Sequence, residues 1–215
     1  FLLFHLDDCV MVSHLRMEGK YGLHQNDEPL DKHVHVIFRF TDGSELRYRD
    51  VRKFGTMHLF KQGEELTELP LRQLGPEPFS SEFTADYLRE RLKKTNRSVK
   101  TALLDQRTVV GLGNIYVDEA LFRAGIHPEA TANKLTKKQT VLLHKEIIQT
   151  LKEAVEAGGS TVRSYINSQG EIGMFQLKLF VYGRKDEPCK KCGSPIEKTV
   201  VGGRGTHFCI KCQKK

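Results

Sequence analysis

Residues Cys189–Cys212 read C-K-K-C-G-S-P-I-E-K-T-V-V-G-G-R-G-T-H-F-C-I-K-C. The two Cys-x-x-Cys pairs, Cys189/Cys192 and Cys209/Cys212, are separated by sixteen residues, a four-cysteine zinc spacing. Each pair suits a tight turn that aims two thiolates at one point, and two such knuckles complete a tetrahedron around one Zn²⁺. Between them Lys198–Val201 is β-prone, Gly202-Gly203 is a turn signal, and a second run ends at His207-Phe208. A hairpin is expected there. The span is too short to bury a core, so metal binding must supply its folding free energy. Two disulfides are the alternative; nothing in the chain indicates secretion, which disfavours them. A closed four-thiolate site is structural and leaves the function open.

Outward from this module, composition is that of a globular protein. The 215 residues are 39% hydrophobic and 28% charged, long enough for a sizeable core. A net charge of +7 raises the expectation of a polyanionic partner without deciding it. The fifth cysteine, Cys9, sits in an apolar run and reads as a buried small hydrophobe. No apolar run reaches the roughly 18–20 residues of a membrane span and no signal peptide is present, so a cytoplasmic location without a membrane partner is expected. The chain opens Phe1–Leu6 in mid-strand, with no Met and no polar lead-in, and is expected to have lost its N-terminus.

Residues 1–68 read as short antiparallel strands: Phe1–Leu6, Val10–Leu15, Tyr21–His24, Val34–Phe40, Glu45–Arg49 and Thr56–Phe60, with a turn at Asp42-Gly43. This pattern argues for a sandwich or barrel. Residues 69–80 hold three prolines and a glycine and are taken as a linker. From 81 to 187 the pattern is mainly helical. Ser81 or Thr84 can cap a helix to Lys94, Ser98–Asp105 forms another, and Asn114–Ala124 a third that stops at Gly125. Thr136–Ala157 is long and amphipathic, with Leu142, Leu143, Ile147, Leu151 and Val155 on one side. Residues 160–176 are a loop too long for a plain connector. Gln176–Tyr182 is expected as a strand leading into the zinc module, 188–215.

Three segments could carry chemistry. In Val109–Ala124, V-V-G-L-G-N-I-Y-V-D-E-A-L-F-R-A, a glycine-rich turn opens directly into a helix. The free N–H groups and the dipole there favour an anion, and Asn114 adds a donor. An ordinary glycine turn with an Asn cap fits as well. Ser13–Gly19 and Tyr48–Gly55 each place an apolar residue among basic ones. Met17 or Phe54, beside Arg52, could wedge into a base stack left by a flipped nucleotide, although core packing is the first expectation for both.

Together the motifs become specific. H-L-R-M-E-G at 14–19, L-R-Y-R-D-V-R-K-F-G at 46–55, L-G-P-E-P at 74–78, V-V-G-L-G-N-I-Y-V-D-E-A-L-F-R-A-G-I-H-P at 109–128, G-G-S-T at 158–161, V-Y-G-R at 181–184 and the four-cysteine finger follow in order. The chain resembles bacterial formamidopyrimidine-DNA glycosylase over essentially its whole length. The resemblance implies an α+β protein with an N-terminal antiparallel β-sandwich, a helix-two-turn-helix domain and a C-terminal zinc-finger hairpin. It implies DNA lying across the cleft between the lobes, and a monomer in the bacterial cytoplasm associated with the nucleoid. The partner it implies is double-stranded DNA containing oxidised purines or abasic sites, and the cofactor one structural Zn²⁺ on Cys189, Cys192, Cys209 and Cys212.

By the same resemblance Asn114 binds phosphate beside the lesion, and Arg204 grips the same region and serves as a proton donor in strand elimination. Lys198 and Tyr182 match further phosphate contacts, as do His14, His33 and Lys100. Met17, Arg52 and Phe54 match the trio that fills the gap left by the flipped base, with Arg52 facing the orphaned cytosine. Ser164 and Tyr165 match the loop that closes on the extruded base. The family's nucleophile is an N-terminal proline that attacks the sugar C1′, assisted by a glutamate and a lysine. None of the three matches a residue of this sequence, and the chain as written is expected to be inactive while still able to bind DNA. Two other readings stay open: an endonuclease VIII-type glycosylase for oxidised pyrimidines, and a non-catalytic zinc-finger DNA-binding protein.

Overall fold

The computed structural model describes residues 1–160 and 173–215. The chain divides into two compact units; the described residues of the first are 1–72, and of the second 73–160 and 173–215. No described helix is long and apolar enough to cross a membrane.

The described residues of the first unit form six strands, each within one residue of its expected bounds. β1 (Leu2–His5), β2 (Cys9–His14) and β6 (Thr56–Lys61) form an antiparallel sheet in the order β1-β2-β6. β3 (Lys20–Gln25), β4 (Val34–Arg39) and β5 (Ser44–Arg49) form a second in the order β3-β5-β4. In the first sheet Leu2 pairs with Ser13 and Phe4 with Met11, which puts these four side chains on one face. That face meets Tyr21 of β3, whose hydroxyl donates to Ser13 Oγ at 2.9 Å and whose ring lies 5.2 Å from Phe4. Tyr21 also packs 5.1 Å from Tyr48 of β5. The two sheets thus face each other through one aromatic cluster, as a sandwich requires. On the far face of β5, buried Arg47 pairs with Glu45 at 2.8 Å and donates to the carbonyls of Gln25, Glu28 and Pro29, holding that turn. Cys9 is half-buried at the start of β2.

In the second unit, capping side chains set three helix starts. Thr84 accepts from Tyr87 N to begin α1 (Ala85–Lys93), and Ser98 accepts from Thr101 N to begin α2 (Val99–Leu104). α3 (Asn114–Arg123) starts after Gly113 without a capping side chain. α4 (Lys137–Glu156) starts with a full capping box between Thr136 and Gln139. Between α2 and α3 two turns reverse the chain, with Gly111 at φ +77° and its N–H held by Gln106 Oε1. This is the helix-two-turn-helix. Gly75 N donates to Gln106 O and Val110 N to Pro76 O, so the proline-rich 74–80 stretch is docked on the turns.

The core gathers Leu88, Leu92, Val99, Leu103, Val109, Leu112, Val117, Leu121, Ile126, Leu143 and Ile147, all essentially inaccessible. Val117 through Phe122 are all buried, so α3 is central. On α4 the buried stripe runs Leu143, Ile147, Leu151 and Ala154; Leu142 and Val155 are exposed, contrary to the sequence pattern. Leu142 points away from the face that carries Leu143, and the stripe ends with a three-residue step from Leu151 to Ala154, which leaves Val155, in the last turn, off it. The strand expected over 176–182 is instead a 3₁₀ turn, Phe175–Lys178, followed by irregular chain. The finger forms β7 (Glu197–Val201) and β8 (Arg204–Phe208), an antiparallel pair. Its turn residues Gly202 (φ +57°) and Gly203 (φ +74°) adopt the type I′ geometry that only glycine takes freely.

Candidate nucleic-acid interface

The finger begins with its metal centre. The four Sγ atoms of Cys189, Cys192, Cys209 and Cys212 lie within 4.8 Å of one another, with Cys192–Cys209 at 3.5 Å and Cys189–Cys212 at 3.9 Å. A Zn–S bond of about 2.3 Å sets tetrahedral S···S edges of about 3.8 Å, so the cage fits Zn²⁺. Burial, then the neighbouring sulfurs, push the Cys212 thiol up to about 12, and burial also raises Cys209. Cys192, bonded to the Ser194 N–H, is lowered to about 6. Crowded sulfurs cannot all ionise alone, whereas a bound dication deprotonates each of them. The centre holds one structural zinc and closes the base of the β7–β8 hairpin.

The hairpin is then fixed against the helices. A Cβ on Gly202 would run into the Thr101 side chain, so the turn lies directly on α2. Immediately after it, Arg204 is exposed, and its guanidinium has no acidic or hydrogen-bonding partner among the described residues. Asn114, at the first position of α3, donates from Nδ2 to Gly205 O at 3.0 Å, while its Oδ1 is buried without a partner. A second Nδ2 hydrogen stays available beside the open N–H groups of α3. Lys198, exposed on β7, runs its stem 3.7 Å from where a Gly205 Cβ would sit. Tyr182 packs edge-on against His207 at 5.0 Å. Thus Asn114, Tyr182, Lys198 and Arg204 come together around one hairpin.

Lys100 requires a correction. Expected at a DNA phosphate, it is fully buried: its ammonium meets Asp118 Oδ1 at 2.6 Å, Thr206 Oγ1 at 2.8 Å and Gly205 O at 3.2 Å. Those acceptors use all three of its N–H donors, leaving none for phosphate.

Two residues absent from the sequence reading hold this assembly. Asp118 accepts from Lys100 and, through Oδ2, from His207 N at 2.9 Å. Glu119 accepts the N–H groups of Phe180, Val181 and Tyr182 at 2.8, 2.9 and 2.9 Å. This explains the missing strand, because donors given to a carboxylate cannot enter a ladder. Burial pushes the Glu119 carboxyl up, and these N–H groups oppose that shift. The signal was present in V-D-E-A-L-F: two acids inside an otherwise apolar helix need buried partners.

In the first unit the loops after β2 and β5 carry the other candidates. Met17 is 69% exposed and Phe54 51%, so neither is core. Arg52 lies over the Phe54 ring, 4.5 Å from its centroid, and makes no ion pair with the described residues. Both loops close on Tyr48: a Cβ at Gly19 or Gly55 would strike its hydroxyl. Met17 and Phe54 are therefore held out by neighbouring loops of one rigid corner. His14 accepts the Arg16 N–H on Nδ1 at 2.9 Å, which leaves Nε2 as the donor. Burial, then Arg16, lower its pKa. His33 is half-buried, its N–H on Asp31 Oδ1 and its carbonyl on Asp50 N. Ser164 and Tyr165 lie outside the described residues.

Family models match in chain order: the formamidopyrimidine-DNA glycosylase N-terminal domain over residues 1–57, the H2TH domain of that glycosylase over 74–166, and a zinc finger found in FPG and IleRS over 186–215. A formamidopyrimidine-DNA glycosylase of Bacillus subtilis (strain 168) is 77% identical over 215 residues, all of this chain and 78% of that protein. The chain belongs to the formamidopyrimidine-DNA glycosylase family. A second formamidopyrimidine-DNA glycosylase, from Cytobacillus firmus, is 68% identical over 213 residues, 99% of this chain and 78% of that protein. Solved structures in the family agree. The Lactococcus lactis Fpg, in complex with an abasic site containing DNA, is 46% identical with a TM-score of 0.88, over 97% of this chain and 76% of that one. MutM in complex with carbocyclic 8-oxo-G containing DNA is 45% identical with a TM-score of 0.90, over 99% and 78%.

Proposed function

We propose that this chain grips double-stranded DNA at a damaged nucleotide, for a base-excision enzyme that removes oxidised purines and cleaves the resulting abasic site by β,δ-elimination. The observation that carries this is Arg204, exposed and unpaired among the described residues, next in sequence to Gly205, whose carbonyl is held by Asn114 at the start of α3. A guanidinium is always charged and presents several donors to a phosphate, and a helix N-terminus favours the same anion. The exposed Met17, Arg52 and Phe54 support the reading, since apolar wedges beside a cation suit a vacated base stack. His14, His33, Tyr182 and Lys198 are taken as further backbone contacts, and Ser164 and Tyr165 as part of the loop that covers the base. The family members solved with abasic-site and 8-oxo-G containing DNA point to the same class of partner. Such an enzyme acts as a monomer on chromosomal DNA in the bacterial cytoplasm. Arg204 is the residue here assigned to strand elimination; residues 1–215 by themselves are assigned binding without a nucleophile.

The test is equilibrium binding of residues 1–215, zinc-loaded, to a duplex with a tetrahydrofuran abasic analogue opposite cytosine. At least tenfold preference over the intact duplex is expected, with no adduct on borohydride trapping with an 8-oxoguanine:cytosine duplex. Equal affinities would favour a plain zinc-finger binder, and a covalent adduct would overturn the assignment of binding alone.

A further inference from the structure

Beneath Arg204 lies an ion pair sealed from solvent. The side chains of Lys100 on α2 and Asp118 on α3 are both 0% exposed, with Nζ and Oδ1 2.6 Å apart. A dehydrated pair is a poor source of stability, because removing two charges from water costs about as much as their attraction returns. What the pair fixes is more specific. Lys100 donates to Gly205 O and Thr206 Oγ1, and Asp118 accepts from His207 N. Three successive residues of β8 directly after Arg204 therefore end on this one pair. The Thr206 hydroxyl, receiving from Lys100, donates in turn to Arg204 O at 2.9 Å. One hydrogen-bonded relay thus runs from the buried ammonium to the Arg204 backbone. Asn114 shares the Gly205 carbonyl.

Charge follows the same logic. Burial lowers the proton affinity of Lys100, Asp118 restores it, and the nearby positive Arg204 lowers it further. Asp118 thereby neutralises the buried cation, and Arg204 carries no ion pair among the described residues.

We propose that Lys100 and Asp118 are positioning residues whose buried pair clamps Gly205–His207, so that the Arg204 guanidinium is aimed at a DNA phosphate. This rests on Arg204 as a DNA contact, as proposed above, and adds the device that aims it.

The experiment measures binding of the zinc-loaded protein to the tetrahydrofuran duplex across a salt series. Variants are Arg204→Ala, the apolar replacement Lys100→Met/Asp118→Leu, the triple combination, Thr206→Val, and Thr206→Val with Arg204→Ala. Losing one phosphate contact should flatten the slope of log K against log salt by about 0.9 and cost roughly threefold more affinity at 50 mM than at 200 mM salt. Lys100→Met/Asp118→Leu is expected to keep its zinc and its Tm, yet lose the same slope as Arg204→Ala. Adding Arg204→Ala to it should then cost little more. Thr206→Val severs only the relay and reads the same non-additivity if the apolar pair variant loses zinc. Fully additive losses, or a wild-type slope in a folded clamp variant, would overturn the clamp alone. A wild-type slope for Arg204→Ala would overturn the DNA contact itself, and the clamp with it.

Discussion

Asp50 shows how a single carboxylate places exposed residues. It is almost inaccessible, yet accepts from Tyr48 Oη at 3.0 Å, Arg52 N at 3.0 Å and Gly55 N at 2.9 Å. Burial works against its ionisation and these donors outweigh it, while burial and then Asp50 push the Tyr48 phenol up to about 12. The loop with Arg52 and Phe54 is anchored at both ends, with Lys53 at φ +56° between. Gly55→Ala would press a methyl into the Tyr48 hydroxyl. It should cost about 1–3 kcal/mol and weaken abasic-duplex binding; an unchanged Tm by calorimetry would show that the corner yields freely. Asp105 offers a pH test. The Arg107 guanidinium foremost, with Arg97, holds its carboxyl well below the usual carboxylate range. Its folded pKa lies below the unfolded value of about 3.9, so its stabilisation is present above that pH and lost as pH falls below it. Asp105→Asn should therefore flatten the decline of Tm between about pH 5 and pH 2. A decline as steep as that of the wild type would remove the inference.

At the scale of elements, α3 organises the second unit. One helix supplies Asn114 at its start, Asp118 to the hairpin, Glu119 to the 180–182 chain, and Phe122 to the finger. Phe122 packs with Val181, Cys189, Ile196 and Cys209, so the metal knuckles rest on the helical core. The hairpin itself has only two strands and a short apolar inventory, and isolated hairpins of that kind are marginal in water. Chelating the zinc is expected to melt β7–β8 and release Arg204, while the helical far-UV signal persists from the separate core around Leu103, Leu121 and Ile147. Loss of the helical signal in step with zinc would show that the finger and helices fold as one.

Across the whole molecule the basic character is unevenly spread. Residues 188–215 hold seven Lys or Arg and a single acid, Glu197. That segment carries nearly all of the chain's net charge of +7, and the remaining residues are close to neutral. The polyanion expectation from composition therefore belongs mainly to the finger. Charge gathered on one module steers association and gives a steep salt dependence, whereas evenly scattered charge is screened pairwise.

The sequence by itself determined what depends on local pattern. Alternation and Gly/Asp turns located six strands, capping side chains located three helices and a glycine-rich turn the fourth, and cysteine spacing located the zinc cage. The ordered motifs also singled out Asn114 and Arg204, which the fold brings to one hairpin. Three matters were decided only by the tertiary structure. Lys100 is a strut and not a phosphate contact, because the acceptors that consume its protons come from α3 and from a strand about a hundred residues away. The chain after Lys178 is not a strand, because Glu119 of α3 takes its backbone donors. Met17 and Phe54 face solvent because Tyr48 and Asp50 hold their loops outward. Local pattern reports which conformations a segment favours. Which of its polar groups remain free for a ligand depends on what the rest of the chain brings beside them.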